Sequence, residues 1–164
     1  MQLPGSRVLN LLGFLACAGM MAYALYAEHV LYLDPCPLCV FQRMATIGTG
    51  LVFLVAAIHN PGAWGRRVYA VLLGVTAASG IGVAGRHVWL QNLPKDQVPA
   101  CGPGLDFMMD TFPLFEVLNM VLSGSGECAE VSWRFFGLTM PTWTLICFVV
   151  LGAWGVWLNW ANRR

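Results

Sequence analysis

At residues 34–43 the chain reads Asp34-Pro35-Cys36-Pro37-Leu38-Cys39-Val40-Phe41-Gln42-Arg43. One long apolar segment ends before this stretch and another begins inside it. Pro37 suits the start of a helix but not its interior, so a helix is predicted to begin near Leu38 or Cys39. A Cys-x-x-Cys pair at a helix start beside a membrane indicates redox chemistry, although zinc sites and structural disulfides use the same spacing.

The composition of the 164-residue chain indicates an integral membrane protein. Hydrophobic residues make up 58% and charged residues 10%, whereas about a quarter of a soluble domain is charged. The net charge of +1 excludes a broad nucleic-acid-binding surface. Seven tryptophans fit the aromatic belts found at membrane interfaces.

Four apolar segments are long enough to cross a bilayer as helices, and none alternates as a barrel strand does. They are Val8–Tyr26, Val40–Ile58, Val68–Leu90 and Pro141–Trp160. The predicted fold is therefore an all-α, four-helix transmembrane bundle that forms a single membrane domain over residues 1–164. Its outer loops are expected at about residues 27–39 and 91–140. Small residues on the second and third spans, among them Gly48, Gly82 and Gly85, are expected to let the helices approach closely.

Charge placement orients this bundle. One set of helix ends carries Arg7, Arg66, Arg67, Arg163 and Arg164. The other set carries all eight acidic residues, namely Glu28, Asp34, Asp96, Asp106, Asp110, Glu116, Glu127 and Glu130. The arginine-rich side and both termini should be cytoplasmic, so that Cys36, Cys39, Cys101 and Cys128 face outward. A competing interpretation makes Ala22-Tyr23-Ala24 a signal-peptide cleavage site and leaves three spans, but the apolar run before it is long for a signal peptide.

The longer outer loop contains one predicted helix and one predicted hinge. Pro113–Leu122 has helical spacing, with Glu116, Asn119 and Ser123 on one polar face, which favours a short helix lying in the membrane surface. Cys101-Gly102-Pro103-Gly104 is predicted to be a turn. Ser123-Gly124-Ser125-Gly126 is predicted to be a flexible hinge that leaves Cys128 free to move.

Three polar side chains near the Cys-x-x-Cys pair are candidates for its chemistry. Cys39 should lie in the first helical turn, where the helix dipole stabilises a thiolate, and Arg43 shares its face one turn later. The alternative for Arg43 is an interfacial arginine whose head reaches for water. Gln42 is expected at the interface and receives no role. His87, at the same expected depth, either faces lipid headgroups or donates a hydrogen bond to a molecule held between the second and third helices.

The outward cysteines can pair in three ways. The simplest resting state joins Cys36 to Cys39 and Cys101 to Cys128. The loop disulfide alone would be an ordinary structural one, whereas short Cys-x-x-Cys disulfides are often labile. No metal is predicted, because no second Cys-x-x-Cys exists and an oxidising compartment competes against free thiolates. The remaining two cysteines, Cys17 and Cys147, lie inside spans and are expected to be packing residues.

Two dithiol pairs in one membrane protein suggest an electron relay. The sequence contains no haem motif, no glycine-rich dinucleotide loop and no iron–sulfur spacing. Elimination leaves a lipid-soluble quinone as the acceptor, within reach of Cys39, Arg43 and His87.

Five motifs, taken in order, resemble the bacterial disulfide bond formation protein B (DsbB) family. They are Cys36-Pro37-Leu38-Cys39-Val40-Phe41-Gln42-Arg43, Arg86-His87-Val88-Trp89-Leu90-Gln91, Cys101, Gly126-Glu127-Cys128-Ala129-Glu130 and Gly137-Leu138-Thr139-Met140-Pro141-Thr142-Trp143. Some members of that family carry an acidic residue where this chain has Gln42.

The resemblance implies an inner-membrane enzyme that reoxidises a soluble periplasmic thioredoxin-like thiol oxidase (DsbA type) and passes the electrons to quinone. Ubiquinone is the expected acceptor, with menaquinone as the alternative. By position, Cys101 would form the mixed disulfide with the partner, and the released Cys128 would attack Cys36. Cys39 would then face the quinone as a thiolate, stabilised by Arg43, while His87 would hydrogen-bond a quinone carbonyl.

Two other functions fit parts of the pattern. A relay like the vitamin K epoxide reductases also has four spans and a Cys-x-x-Cys near quinone, but its active pair lies late in the chain. A non-catalytic four-span adaptor would carry two structural disulfides that stay closed when quinone is added.

Overall fold

Helices dominate the part of the chain that the computed structural model describes, which is residues 5–94, 96–102 and 105–161. The elements are α1 (Ser6–His29), α2 (Pro37–His59), α3 (Ala63–Gln91), α4 (Leu105–Thr111), α5 (Leu114–Ser123), α6 (Gly126–Ala129), β1 (Arg134–Phe135), β2 (Leu138–Thr139) and α7 (Met140–Ala161). The two strands form an antiparallel hairpin in which Arg134 pairs with Thr139 and Phe135 with Leu138.

The four long helices α1, α2, α3 and α7 are each long and apolar enough to cross a membrane. This confirms the predicted all-α, four-helix membrane bundle. Each helix contains its predicted span and extends beyond it, most of all at α3, which begins at Ala63 and includes Arg66 and Arg67 in its first turns. The division into one domain stays a prediction, and Arg163, Arg164 and the predicted turn residues Pro103 and Gly104 lie outside the described residues.

Aromatic rings packed against glycines bring the helices together. Cβ atoms built on Gly13 and Gly155 would lie only 2.7 and 2.9 Å from the ring of Phe53. A Cβ atom on Gly80 would lie 2.5 Å from the ring of Phe148. Small residues therefore do permit close approach. Of the small residues expected at helix contacts, Thr49 is fully buried and a Cβ atom on Gly74 would lie 3.5 Å from Val156, whereas at Gly48, Gly82 and Gly85 an added Cβ would meet nothing within 4 Å.

Two buried asparagines join α1 to α7 near the ends opposite the Cys-x-x-Cys pair. Asn159 Nδ2 donates to Asn10 Oδ1 at 3.1 Å, and Asn10 Nδ2 lies 3.4 Å from Asn159 Oδ1. Both side chains are almost fully buried. Such interhelical hydrogen bonds contribute about 0.6 kcal/mol each in membrane bundles, so this pair fixes the register of the two helices more than it adds stability.

The loop helices are fastened to the other end of the bundle by an apolar cluster. Val117 and Val121 of α5 pack with Leu38 of α2 and Leu90 of α3. Helix α5 confirms the helix predicted in this loop, and its first turn exposes Leu114 and Phe115. Placement of this helix in the membrane surface stays a prediction.

The segment predicted to be a flexible hinge is instead tightly packed, so that prediction was wrong. Gly124 has a φ of +86°, and a Cβ atom there would lie 2.3 Å from Leu90 Cδ1. Ser125 and Gly126 are buried. The Gly-Ser composition predicted flexibility because glycine and serine have little or no side chain. The same small size allows this backbone to pack closely against α3.

Candidate functional site

The Cys-x-x-Cys pair opens helix α2. Cys36 is the N-cap residue in an extended conformation, and Pro37 is the first helical residue. The Cys39 amide donates to the Cys36 carbonyl at 2.9 Å, which places Cys39 in the first turn as predicted. The two sulfur atoms lie 3.1 Å apart. The predicted disulfide pairing stays a prediction.

His87 of α3 lies against both sulfur atoms. Its Nε2 is 3.8 Å from Cys36 Sγ, and its Nδ1 is 4.0 Å from Cys39 Sγ. The side chain is only 3% exposed. The predicted common depth of His87 and Cys39 is therefore confirmed, and the ring faces the interior of the bundle rather than lipid headgroups.

Gln42 holds the other side of that imidazole ring. Its side chain is 6% exposed, and its Nε2 lies 2.9 Å from His87 Nδ1. The expectation of an interfacial glutamine without a role was wrong. Its spacing was an available signal, since a residue three positions after Cys39 shares its helix face. A buried amide on that face needs a hydrogen-bond partner, and α3 supplies one.

Arg43 points from α2 toward α1. Its guanidinium forms an ion pair with Glu28 and donates from Nη2 to the Ala24 carbonyl at 3.2 Å. Sequence reasoning assigned Arg43 to the Cys39 thiolate and missed Glu28, although this carboxylate lies in the last turn of the first span. The positive charge of Arg43 therefore acts both on the Glu28 carboxylate and on the region next to Cys39.

A cavity of about 570 Å³ opens beside these residues. Cys39, Arg43 and His87 lie in its wall, and aromatic side chains from the hairpin region and α7 form another part of it: Trp133, Phe135 and Trp143. Gln91, one helical turn after His87, also lines the cavity. Its Oε1 atom is buried and has no hydrogen-bond partner within residues 5–94, 96–102 and 105–161. The volume is typical of sites for small organic molecules.

Cys128 lies in the short helix α6, fully buried beside the Cys-x-x-Cys pair. It belongs to the apolar cluster that Cys36 packs against, and Ser125 Oγ lies 3.6 Å from its sulfur. A hydrogen bond with Cys36 and burial together raise the pKa of the Cys128 thiol well above its ordinary value. The docked thiol is therefore held in the protonated form.

Cys101 is exposed and lies in the part of the outer loop that precedes α4. The Gly126 amide donates to the Ala100 carbonyl at 3.3 Å, and a Cβ atom on Gly126 would lie 3.0 Å from Cys101 Sγ. The loop thus brings Cys101 to the surface close to the helix that carries Cys128, while Cys128 faces Cys36.

Arg86 ties this loop to α3, a role that sequence reasoning missed. Its Nε donates to the Leu122 carbonyl at 3.0 Å, and its Nη2 donates to the Ser123 carbonyl at 2.9 Å. The guanidinium carbon also lies 4.2 Å from the centre of the Trp89 ring. A cation at the carboxyl end of α5 satisfies its last carbonyls and complements the helix dipole.

A half-buried dithiol at a helix start, a third thiol docked against it and a fourth at the surface are arranged for thiol–disulfide exchange. Within a bundle of four membrane-crossing helices, they define a membrane-embedded thiol–disulfide redox protein.

Comparison with known proteins gives the family. The family model described as "Disulfide bond formation protein DsbB" matches residues 6–158. Three similar relatives are each called "Disulfide bond formation protein B". The protein of Nitrosococcus oceani is 60% identical over 89% of this chain and 86% of its own length. That of Methylococcus capsulatus is 51% identical over 100% and 99%, and that of Hahella chejuensis 53% over 96% and 95%.

The chain therefore belongs to the DsbB family of disulfide bond formation proteins, as its motifs predicted. It is a multi-pass membrane protein with a redox role in disulfide bond formation.

Proposed function

We propose that this protein reoxidises a soluble periplasmic thiol oxidase of the thioredoxin-fold, DsbA type and passes the two electrons to a membrane quinone. The observation that carries this proposal is the position of Cys128, which is 0% exposed and lies in the apolar cluster that Cys36 packs against, while Cys101 is exposed. Within the Cys101–Cys128 pair, Cys101 can thus contact a soluble partner while Cys128 contacts the Cys36–Cys39 pair beside the cavity.

The first step is disulfide exchange with the partner. A thiolate of the reduced partner attacks the Cys101 sulfur of a Cys101–Cys128 disulfide, and the Cys128 sulfur leaves as a thiolate. The partner's second thiol then opens the mixed disulfide, so the partner leaves oxidised and Cys101 returns to the thiol. The exposure of Cys101 supports its place as the sulfur under attack, because exchange requires an open approach to it.

The second step moves the electrons inward. The Cys128 thiolate attacks Cys36 of a Cys36–Cys39 disulfide, which forms a Cys36–Cys128 bond and expels Cys39 as a thiolate. Cys39 leaves at the positive end of α2, where the helix dipole favours negative charge.

Attack by the Cys101 thiolate on Cys128 next restores the Cys101–Cys128 disulfide and returns Cys36 as a thiol. Reoxidation of the Cys36–Cys39 dithiol then releases two electrons and two protons. A bound quinone supplies the acceptor for both. The cavity residues fit such a group: Arg43 and His87 carry donors for carbonyl oxygens, and the unpartnered Oε1 of Gln91 would accept from a hydroxyl. The aromatic wall suits a flat ring. Ubiquinone is the expected acceptor, with menaquinone as the alternative.

The proposed orientation puts the cysteines in the periplasm and both termini in the cytoplasm of an inner-membrane protein. Its support is the charge pattern, since Arg7, Arg66 and Arg67 lie at the helix ends away from the cysteines.

A trapping experiment tests the partner step. Cys128→Ser should accumulate a mixed disulfide with the oxidised partner, because the Cys101 thiolate opens the partner's disulfide and Cys128, one of the two thiols that can open the mixed disulfide again, is absent. Cys101→Ser should form none. Non-reducing gel electrophoresis reads both, and the opposite pattern would exchange the two assignments. If neither variant forms a complex and both cysteine pairs of the unsubstituted protein stay closed, the protein is an adaptor with structural disulfides.

A further inference from the structure

The Cys-x-x-Cys pair and His87 together form a candidate metal site that was not predicted from the sequence. Cys36 Sγ, Cys39 Sγ and a ring nitrogen of His87 lie within 4.8 Å of one another. We propose that the reduced pair and His87 bind a thiophilic divalent cation such as Zn²⁺ or Cd²⁺ and that binding holds the pair in the dithiol state. The binding rests on the geometry alone, whereas its inhibitory consequence rests on the proposed function.

The distances are close to those of a tetrahedral centre. Zn–S bonds of about 2.3 Å and Zn–N bonds of about 2.0–2.1 Å place neighbouring ligand atoms about 3.5–3.8 Å apart. Cys36 Sγ lies 3.8 Å from His87 Nε2, the two sulfur atoms lie 3.1 Å apart, and one His87 ring nitrogen and both sulfur atoms all fall within 4.8 Å of one another. Opening the sulfur pair by about 0.7 Å reaches the tetrahedral spacing.

Gln42 is placed to orient the histidine as a ligand. It lies 2.9 Å from His87 Nδ1, and the oxygen and nitrogen of a glutamine amide exchange places by a simple flip. With its oxygen toward the ring, Gln42 accepts a hydrogen bond from Nδ1–H and leaves the Nε2 lone pair toward Cys36. Metal-bound histidines commonly have such a partner on their second nitrogen.

The proposed site also differs from the four-cysteine zinc site that the sequence did not favour. That site required four outward cysteines, whereas this cluster takes a nitrogen ligand from α3 and leaves Cys101 at the surface. The cluster supplies three ligands, and water from the cavity would complete the site.

Binding would be gated by the redox state. Two thiols lose two protons and become thiolate ligands, and no electrons move. A Cys36–Cys39 disulfide has no thiolate to offer, so the cation binds only the reduced pair. A bound cation occupies both sulfur atoms and blocks their reoxidation, which would stop turnover.

Cadmium titration of the full-length protein in detergent tests this inference, with thiolate-to-metal absorption and proton release as readouts. Fully reduced protein, freed of reductant, should bind one equivalent, and protein with a closed Cys36–Cys39 disulfide should bind none. Cd²⁺ should also protect Cys36 and Cys39 from alkylation, a measurement that needs no variant. Equal binding by the oxidised protein, or no protection, would overturn the proposal.

Variants locate the ligands. Gln42→Leu should weaken affinity about 10- to 100-fold, as is typical for the partner of a metal-bound histidine, and His87→Gln should weaken it at least as much. Cys17→Ser is the matched control, because Cys17 packs in the core beside Gly50, and its affinity should be unchanged. Unchanged affinity in His87→Gln, or a loss in Cys17→Ser, would assign the cation to other thiols.

Metal-free activity separates the two proposals. Quinone reduction without cadmium binding would remove only the metal site. Cadmium binding by a protein that never reduces quinone would remove the proposed function and leave the metal site standing.

Discussion

Replacing Arg86 with alanine should release the loop that carries Cys128. The side chain donates to the carbonyls of Leu122 and Ser123 at 3.0 and 2.9 Å and lies over the Trp89 ring. These contacts join the carboxyl end of α5 to α3, one residue before Gly124 turns the chain toward Cys128. Without them, the loop keeps its apolar cluster but loses its polar anchor.

The size of the effect follows from the interactions that the substitution removes. A hydrogen bond to a charged group is worth about 1.5–3 kcal/mol, and an exposed cation–π interaction about 0.5–1 kcal/mol. Arg86 is half-buried, and water replaces part of the two hydrogen bonds when the side chain is removed. We therefore expect a loss of about 2 kcal/mol in docking free energy, which corresponds to roughly 30-fold more frequent opening at 1.4 kcal/mol per tenfold.

Alkylation of Cys128 measures that opening, because its sulfur is fully buried in the docked loop. Reduced protein is treated with a water-soluble maleimide, and mass spectrometry follows each cysteine separately. The Cys128 rate should rise roughly 30-fold in Arg86→Ala, while the rate of the exposed Cys101 should stay the same. Arg134→Ala is the matched control, since this exposed arginine lies in the hairpin.

An unchanged Cys128 rate in Arg86→Ala would refute the reasoning, because the loop would then be held by the apolar cluster alone. An equal rise at Cys101 would also refute it, since general loosening of the fold would explain both.

Three further changes test other parts of the structure. Gly124→Ala places a Cβ atom against Leu90 at a φ of +86°; Cys128 alkylation should accelerate about 5- to 140-fold for a strain of roughly 1–3 kcal/mol, and an unchanged rate would contradict the packing. Arg43→Ala removes a hydrogen-bond donor from the cavity wall, so steady-state kinetics should show a higher KM for quinone and little change in KM for the partner protein; an unchanged quinone KM would count against its role. The raised pKa of docked Cys128 makes docking strongest below the ordinary thiol pKa of about 8.5 and weaker as the pH rises above it. The rate of Cys128 alkylation should therefore keep rising past the pH at which the rate for a free thiol levels off. A plateau near about pH 8.5 would show an unperturbed thiol.

Features set along a single helix were predictable from the sequence. The position of Cys39 in the first turn follows from Pro37 and the start of the apolar run. The depth of His87 follows from its distance to the end of its span. Both depend only on helix geometry and on the fixed thickness of a bilayer.

Features set between helices were not predictable in the same way. The pairing of Gln42 with His87 depends on how α2 and α3 rotate about their axes, which periodicity in a nearly uniform apolar helix does not determine. The Arg43–Glu28 ion pair likewise depends on the packing of α1 against α2. In each case the residue types indicated a polar contact, but only the packed structure identifies the partner.

The loop shows the same limit for backbone composition. Ser123–Gly126 has the composition of a linker, yet Gly124 adopts the left-handed conformation and seats on Leu90. Glycine permits both a flexible chain and a close backbone approach. Neighbouring apolar residues decide between them, and here Leu90, Val117 and Val121 favour packing.

Quinone reduction by the purified protein tests the central claim most directly. A reduced thioredoxin-fold dithiol protein of the periplasm and a soluble ubiquinone analogue are mixed with the protein in detergent, and quinone absorbance is followed beside the partner's thiol content. We predict that one quinone is reduced for each partner disulfide formed, and that Cys39→Ser and Cys101→Ser abolish the reaction. Quinone that stays oxidised while both cysteine pairs remain closed would contradict the relay.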